Sequence, residues 1–357
     1  MTYSRKLKIT VPCSSSNIGP GFDVLGVTLS LYLTLDISIF EPSSVKENYN
    51  TEVVLTYSGE GKDGVPLSVE KNLITKTALY VLACNNIYGF TAPMTINIDN
   101  PIPMGRGLGS SGAAVVAGVM LGNVSGNLGL TKDRMLDYCL MIERHPDNVT
   151  AALMGGFIAS YLRELNTDDT GIPHSEELEK KNDTINKFSS QIVPERIGYY
   201  IKLNWAKEIK AITIIPQFEV STAEAREILP NDYNKNDVVF NLQRLAVLIM
   251  ALSQSPPDAD LICQAMQDKV HQPYRKQLIP GLSEIITNVK PTTHPGLLGI
   301  CLSGAGPTIL ALATHNFDNI SKTVIDMFAK ENIETVVKVL DVVEDGAQVV
   351  ETKYNNA

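Results

Sequence analysis

The sequence predicts an α+β protein of two domains, and three observations carry the prediction. At 357 residues the chain exceeds what one ordinary hydrophobic core sustains, so two domains are expected. Strand-like and helix-like segments alternate in both halves with no internal repeat. Between the halves, from Arg163 to Arg196, the chain is rich in Asp, Glu, Lys, Asn, Ser and Thr and poor in apolar anchors, as an exposed insertion or linker would be. The expected division is an N-terminal domain over 1–165, a polar insertion over 166–196 and a C-terminal domain over 197–357.

Taken in order, Leu7–Val11 reads as a strand, ended by Pro12 and a small-residue loop over Cys13–Gly21. Leu31, Leu33, Leu35, Ile37 and Ile39 fall at every second position of Leu29–Phe40, a period-2 strand. Glu41–Pro66 is polar with glycines and reads as a hairpin or excursion. Leu73, Thr77, Tyr80, Val81 and Cys84 have helical spacing within Asn72–Asn85. Met94–Ile98 is a strand halted by Asn100–Pro103, since proline cannot donate to a ladder. Gly105–Gly112 then opens a small-residue helix from Ala113 to about Gly122, Lys132–Arg144 is a second helix, and Asn148–Met154 starts a third. In the second half, Ala211–Pro216 is a strand, Val238–Leu252 a strongly apolar helix and Ala259–Val270 another helix. Leu297–Leu302 and Thr308–Ala313 are strands, Phe317–Glu331 is a helix, and Glu334–Leu340 is the final strand.

Composition excludes more than it names. With 44% hydrophobic and 19% charged residues the chain is expected to fold. Trp205 is the single tryptophan, which argues against a stacking platform for single-stranded nucleic acid. A net charge of −9 points away from nucleic acid and from membrane surfaces as partners. Cys13, Cys84, Cys139, Cys263 and Cys301 lie far apart, neither a zinc framework nor a disulfide scaffold, and suit a reducing compartment. Met1 to Lys8 has no signal-like apolar run, and Ala113–Leu121 is too short to span a bilayer, so a cytoplasmic location is expected.

The most informative stretch is Pro103-Met104-Gly105-Arg106-Gly107-Leu108-Gly109-Ser110-Ser111-Gly112. Four glycines let successive backbone N–H groups face one concavity, and the helix that follows adds free N–H groups and a positive dipole end. Together these suit a polyphosphate, with Ser110 and Ser111 able to donate to phosphate oxygens or to ligate Mg²⁺. Gly107 to Gly112 also fits G-x-G-x-x-G, but the nearest following acid, Asp133, opens a helix instead of lying on a second strand, which rejects a dinucleotide fold. No lysine follows the glycines, so this is not a Walker loop. A loop that merely packs two elements is the bland alternative. Two further segments weigh against it: Pro12–Asp23, which gathers hydroxyls, an amide and a carboxylate after a strand, and Gly299–Thr308, a second backbone-exposing loop.

In their order and residues these three segments resemble the three motifs of the GHMP kinases, over about Leu7 to Ala313. Within that family the chain is most similar to the fungal members of the homoserine kinase branch. The form of Pro12–Asp23 carries this, with His145-Pro146-Asp147-Asn148, Ser221–Arg226 and His271-Gln272-Pro273-Tyr274-Arg275. The resemblance implies an N-terminal domain like ribosomal protein S5 domain 2, a ferredoxin-like C-terminal domain, and a cleft between them for ATP, Mg²⁺ and a small alcohol. It implies that Pro103, Gly105, Arg106, Gly107, Leu108, Gly109, Ser110 and Ser111 wrap the phosphates, joined by Gly304 and Gly306. Asn72 would line the adenine pocket, and Ser111 and Glu143 would hold Mg²⁺. Asn17, Asp23, His145, Asn148, Thr222, Arg226 and Arg275 would contact substrate, with Asn148, Asn17 and Arg226 nearest the transfer.

These residue types suit L-homoserine, which carries an ammonium, a carboxylate and a primary hydroxyl. Asp23 can pair with the ammonium, and Arg226 and Arg275 can clamp the carboxylate. Taken singly each has a bland reading: an arginine is usually a surface residue, Asn148 could cap a helix and His145 could sit satisfied in a core. Asn148 cannot usefully accept a proton, so no strong side-chain base is expected. The implied reaction gives O-phospho-L-homoserine, a step of threonine biosynthesis. Alternatives are another kinase of the family, such as one for mevalonate, or a sensor that keeps the fold without catalysis. The sequence does not fix the oligomeric state; a homodimer is the assembly considered.

Overall fold

The apolar alternation of the first forty residues builds two long antiparallel strands, β1 (Tyr3–Asn17) and β2 (Gly21–Phe40), paired along most of their length. The computed structural model describes residues 3–41, 52–165 and 193–352. Most of the expected insertion, residues 166–192, therefore lies outside the described residues, as do 42–51 of the expected excursion. Cys13–Asn17 is strand and not the expected loop: Cys13 to Ser16 pair with Leu29 to Gly26, and the turn is confined to Ile18–Pro20. The serines read as loop by composition, yet Ser14, Ser15 and Ser16 are buried, their hydroxyls engaged by a helix residue, Asn148, and by the loop residue Ser303.

β3 (Val53–Gly59) and β4 (Met94–Asn100) extend this sheet, and β5 (Phe157–Leu162), β6 (Gly198–Leu203) and β11 (Gln348–Thr352) complete seven strands. β5, β6 and β11 were not expected. β6 and β11 lie C-terminal to residue 197 yet pair with β5 and β1, so the boundary expected there does not divide the sheets. The reason is local: β2 offers its first residues to β5, and β5 needs a second neighbour. Four helices cover the sheet: α1 (Leu73–Cys84), α2 (Ser110–Ser125), α3 (Lys132–Glu143) and α4 (Pro146–Met154). α2 and α4 pack on the strands and α1 lies against α2. The small residues of α2 allow that approach, since a Cβ at Gly118 would sit 2.5 Å from Ile74 O.

The second sheet contains β7 (Lys210–Pro216), β8 (Leu297–Leu302), β9 (Ile309–Ala313) and β10 (Thr335–Leu340), in the order β10-β7-β9-β8. Numbered within the unit this is 4-1-3-2 with helices after the first and third strands, the ferredoxin-like arrangement. Between β7 and β8 run α5 (Thr222–Glu227), α6 (Lys235–Ala251), α7 (Ala259–Ala265), α8 (Gln272–Arg275) and α9 (Leu282–Asn288); α10 (Phe317–Lys330) follows β9. The helix expected over Ala259–Val270 stops at Ala265 because Asp268 takes the N–H groups of Val270, His271 and Gln272 into a tight turn. α6 is apolar as expected but turns Val239, Leu242 and Met250 outward. One apolar cluster fills the first sheet and its helices and reaches the α6–α7 side of the second sheet; another, around Ile212, Ile300 and Phe328, lies under α9 and α10. No helix of the described residues is long and apolar enough to cross a membrane.

Candidate active site

The glycine-rich loop meets the other two motifs where the sheets adjoin. Gly105, Gly107 and Gly109 all take left-handed backbone angles, φ +61, +80 and +67, which suit glycine. Gly109 is the N-cap of α2 and supplies no side-chain cap, so the first N–H groups of that helix remain to bind an anion. The Ser14 N–H donates to Leu108 O (3.3 Å), and the Thr308 N–H to Arg106 O (3.3 Å). Ser303 Oγ donates to Gly107 O at 2.6 Å and receives the Ser15 hydroxyl at 2.7 Å. All three motifs are thus stitched together, and α2 begins three residues earlier than expected, at Ser110.

A cavity of about 120 Å³ at this junction is lined by Asn17, Asp23, Pro103, Gly105, Arg106, Gly107, Gly109, Ser110, Ser111, Glu143, His145, Asn148, Thr222, Arg226, Arg275, Gly304 and Gly306, among others. Of the expected site residues only Asn72 and Leu108 are missing from it. Leu108 is fully buried beneath the loop. Asn72 lines a neighbouring cavity of about 480 Å³ that shares Gly105, Ser110 and Ser111. The Asn72 amide is occupied there, capping α1 at Ile74 N and donating to Pro66 O.

Several expected substrate ligands are also the bolts of the site. Asn148 Oδ1 accepts from Ser14 Oγ (2.9 Å) and its Nδ2 donates to Ser16 Oγ (3.0 Å), tying α4 to β1. Asn17, at φ +72, donates to Gly304 O (2.9 Å) and accepts the Asp23 N–H (3.0 Å). Arg275 is only 2% exposed. Its Nε donates to Ala225 O and its Nη1 to Gly304 O and His271 Nδ1, leaving Nη2 alone without a protein partner among the described residues. Burial and the adjacent Arg226 push its pKa down to about 10. The free two-armed clamp expected of Arg275 is therefore reduced to one nitrogen. Arg106, expected at the phosphates, pairs with Glu60 at 3.5 Å.

Glu143, His145 and Asp147 form a buried charged trio. His145 Nε2 lies 3.2 Å from Glu143 Oε2 and Nδ1 lies 3.4 Å from Asp147 Oδ1, an ion-pair distance outside hydrogen-bond geometry. Burial opposes charge on the ring, but the two carboxylates outweigh it and raise the His145 pKa to about 10. Burial likewise opposes ionisation of Glu143 and Asp147, and attraction to His145 prevails, holding both below the usual carboxylate range. Ser111 Oγ donates to Glu143 Oε1 at 2.7 Å, so the two residues expected to hold Mg²⁺ are in contact. Asp147 was not singled out from the sequence, although it sits inside the His145–Asn148 motif.

A pH test follows. Below about pH 6.5, where an unfolded histidine titrates, both states hold the proton and the contribution of His145 to stability is complete. As pH rises towards about 10 the unfolded chain releases the proton first, and that stability is lost. Unfolding free energy should fall with pH across this window by up to about 1.4 kcal/mol per unit, a slope absent in His145→Gln. Urea titrations of both proteins between about pH 6 and 9.5 measure it, and parallel profiles would contradict a protonated His145.

Asp23 and Arg226 face each other across the cavity mouth, Arg226 donating Nη1 and Nη2 to the two carboxylate oxygens at 2.9 and 2.6 Å. Asp23 lies near the start of β2 with a left-handed backbone angle, φ +56. Phe22, not foreseen as a site residue, has the Arg226 and Arg275 guanidinium groups 5.6 and 5.2 Å from its ring centroid and stacks on His271. Its place beside Asp23 in the first motif was the only signal.

Residues 72–156 match the GHMP kinases N terminal domain. The chain is 56% identical to the homoserine kinase of Saccharomyces cerevisiae, over 97% of this chain and 99% of that one. It is 53% identical to the homoserine kinase of Candida albicans, over 96% and 97%. Among solved structures, homoserine kinase from Cytophaga hutchinsonii superposes with a TM-score of 0.72 at 26% identity, covering 97% of each chain. Three stitched motifs, a ferredoxin-like second sheet and near-complete coverage by these relatives agree: the chain belongs to the GHMP kinase family, in its homoserine kinase branch.

Proposed function

We propose that this protein transfers the γ-phosphoryl group of ATP to the hydroxyl of L-homoserine, giving O-phospho-L-homoserine for threonine biosynthesis. The observation that carries the reading is the placement of one carboxylate and one guanidinium, Asp23 and Arg226, in the same cavity as the phosphate loop. An amino acid alcohol supplies both complementary charges, whereas mevalonate has no ammonium to offer Asp23. Arg275 and Thr222 line the same cavity.

The donor set fits Mg²⁺. Ser111 and Glu143 present oxygens side by side, as a hard cation requires, and Mg²⁺ is commonly held by one or two protein groups plus substrate phosphates. When bound it would neutralise phosphate charge. Homoserine oxygen attacks the γ-phosphorus as the bond to ADP breaks, and the hydroxyl proton needs an acceptor. The side chains nearby are poor ones: Asn148 has no basic atom, His145 already holds its proton, and Asp147 is kept ionised by its partners. The proton accordingly passes to a phosphoryl oxygen or water, and catalysis rests on positioning and charge.

A substrate panel tests this. With ATP and Mg²⁺, L-homoserine should be phosphorylated with a kcat/KM at least about tenfold above mevalonate or any sugar, a difference of about 1.4 kcal/mol. A faster mevalonate or sugar reaction, measured by ADP release, would overturn the assignment, and no ADP release with any alcohol would favour a sensor.

A further inference from the structure

We infer that His271 is a positioning residue for the substrate head group, holding Arg275 from one ring nitrogen and the first-motif turn from the other. The inference rests on the proposed head-group recognition, with Arg275 among the groups that meet the homoserine carboxylate, and deepens it by naming what orients that arginine. His271 is not among the residues that line the cavity. It is fully buried at the start of α8, where the Asp268 carboxylate accepts the N–H groups of Val270, His271 and Gln272 and the amide of Asn241. Nε2 of its ring lies 2.8 Å from Gly19 O and 3.5 Å from Asp268 Oδ2, while Nδ1 lies 3.2 Å from Arg275 Nη1. Phe22 stacks on the ring with 5.5 Å between centroids, so its plane is held as well.

These partners settle the tautomer. A carbonyl only accepts, so Nε2 carries the proton; a guanidinium only donates, so Nδ1 carries none. A second proton, on Nδ1, would face the N–H of Arg275. Burial opposes that charge, and Arg275 adds to the opposition against the pull of Asp268, the Gly19 carbonyl and Asp23. The net result is a pKa below the ordinary histidine value. What the unprotonated nitrogen does is seen at Arg275. Its Nε donates to Ala225 O at 3.0 Å, and the two hydrogens of Nη1 go to Gly304 O at 2.9 Å and to His271 Nδ1. Asp23, Asp147 and Asp268 attract this guanidinium and Arg226 repels it, but among the described residues none of them hydrogen-bonds to it. Its direction is therefore set by two carbonyls and the imidazole, and Nη2 is left to face a ligand. Without Nδ1 one buried N–H of a charged group loses its acceptor, and the fork is free to turn towards another.

Two substitutions divide the bridge. A glutamine amide ends at the level of Nε2 and an asparagine amide at the level of Nδ1. His271→Gln thus keeps a donor for Gly19 O and withdraws the acceptor from Arg275, whereas His271→Asn keeps that acceptor and gives up Gly19. With ATP and Mg²⁺, His271→Gln should raise KM for homoserine about tenfold, with kcat and KM for ATP changed by less than about threefold. His271→Asn should rescue most of that loss, bringing KM for homoserine back to within about threefold of the unaltered enzyme. A second substrate separates positioning from packing. On 3-aminopropan-1-ol, which is homoserine without its carboxylate, Arg275 has nothing to hold, and His271→Gln should cost less than about threefold in kcat/KM. Equal losses for the two substrates, or for the two variants, would overturn the role of His271 and leave the substrate assignment standing. Should neither variant fold, the unaltered enzyme still decides. Nitrogen NMR of isotope-labelled enzyme at about pH 7, with His271 assigned through its own backbone, should show a neutral ring protonated on Nε2. A proton on Nδ1, or a charged ring, would overturn the bridge. A best substrate that lacks a carboxylate would instead remove the head-group reading, and the role of His271 with it.

Discussion

Ser111→Ala is expected to lower kcat by about 10²- to 10³-fold, the usual loss when one fixed electrostatic contact to a reacting group is removed. Ser111 is in the first turn of α2, and its hydroxyl donates to Glu143 Oε1 at 2.7 Å. The first turn of this helix has no acidic residue and no side-chain cap, so no residue of the helix itself competes with an incoming phosphate. Removing one hydroxyl there leaves every backbone bond of the helix in place, and the unfolding midpoint should barely move. On the proposed assignment the change weakens a ligand of Mg²⁺, so raising Mg²⁺ should partly recover the loss. Glu143→Gln should lose activity similarly and also destabilise the fold, since it withdraws one of the two carboxylates that hold the buried His145 imidazolium. Near-normal turnover of well-folded Ser111→Ala at limiting Mg²⁺ would reduce the loop to a packing device and remove the Ser111–Glu143 metal site.

What could be read from the sequence here was whatever is encoded locally. The cradle is legible because its glycines and serines are consecutive and each acts through its own backbone or the next helix turn. Three strands of the second sheet, β7, β8 and β9, are legible because they are buried apolar runs with sharp ends, and β10, largely half-buried or exposed, is legible from its run of valines. β6 and β11 are not: both lie almost wholly exposed at sheet edges, so neither carries an alternating apolar pattern. Cys13–Asn17 misleads for the opposite reason, since its polar residues are buried and find partners up to 288 residues away, Ser303 in particular. The same distance dependence governs the site. Residue types told that Asn17, Asn148, Asp23, Arg226 and Arg275 could face a charged alcohol. They could not tell that Asn148 is spent on two serines, that Arg275 is buried and mostly spent on carbonyls, or that Asp23 and Arg226 close on each other.

Gly107→Ala should cost activity far beyond its cost to stability, and a second glycine supplies the control. Gly107 and Gly129 share the left-handed backbone, φ +80 and +65, so alanine pays the same conformational penalty at both, about 1–2 kcal/mol. Their surroundings differ. A Cβ at Gly129 would have no heavy atom within 4 Å. At Gly107 it would lie 2.2 Å from Ser303 O and 3.1 Å from Gly306 N, backbone atoms that cannot swing aside as a side chain could. The loop must then draw away from the third motif, stretching the 2.6 Å bond from Ser303 Oγ to Gly107 O and moving the N–H groups proposed to face the phosphates. Misplacing a positioned group by about 1 Å can cost about 10²-fold in rate. Gly107→Ala should therefore lower kcat/KM for ATP by about 10²-fold, and Gly129→Ala should leave it within about twofold while losing similar intrinsic stability. Steady-state kinetics with varied ATP, beside melting curves for both variants, measure the contrast. If the two variants lose activity equally, the penalty is conformational alone, and the close approach of Gly107 to Ser303 has no part in holding the nucleotide.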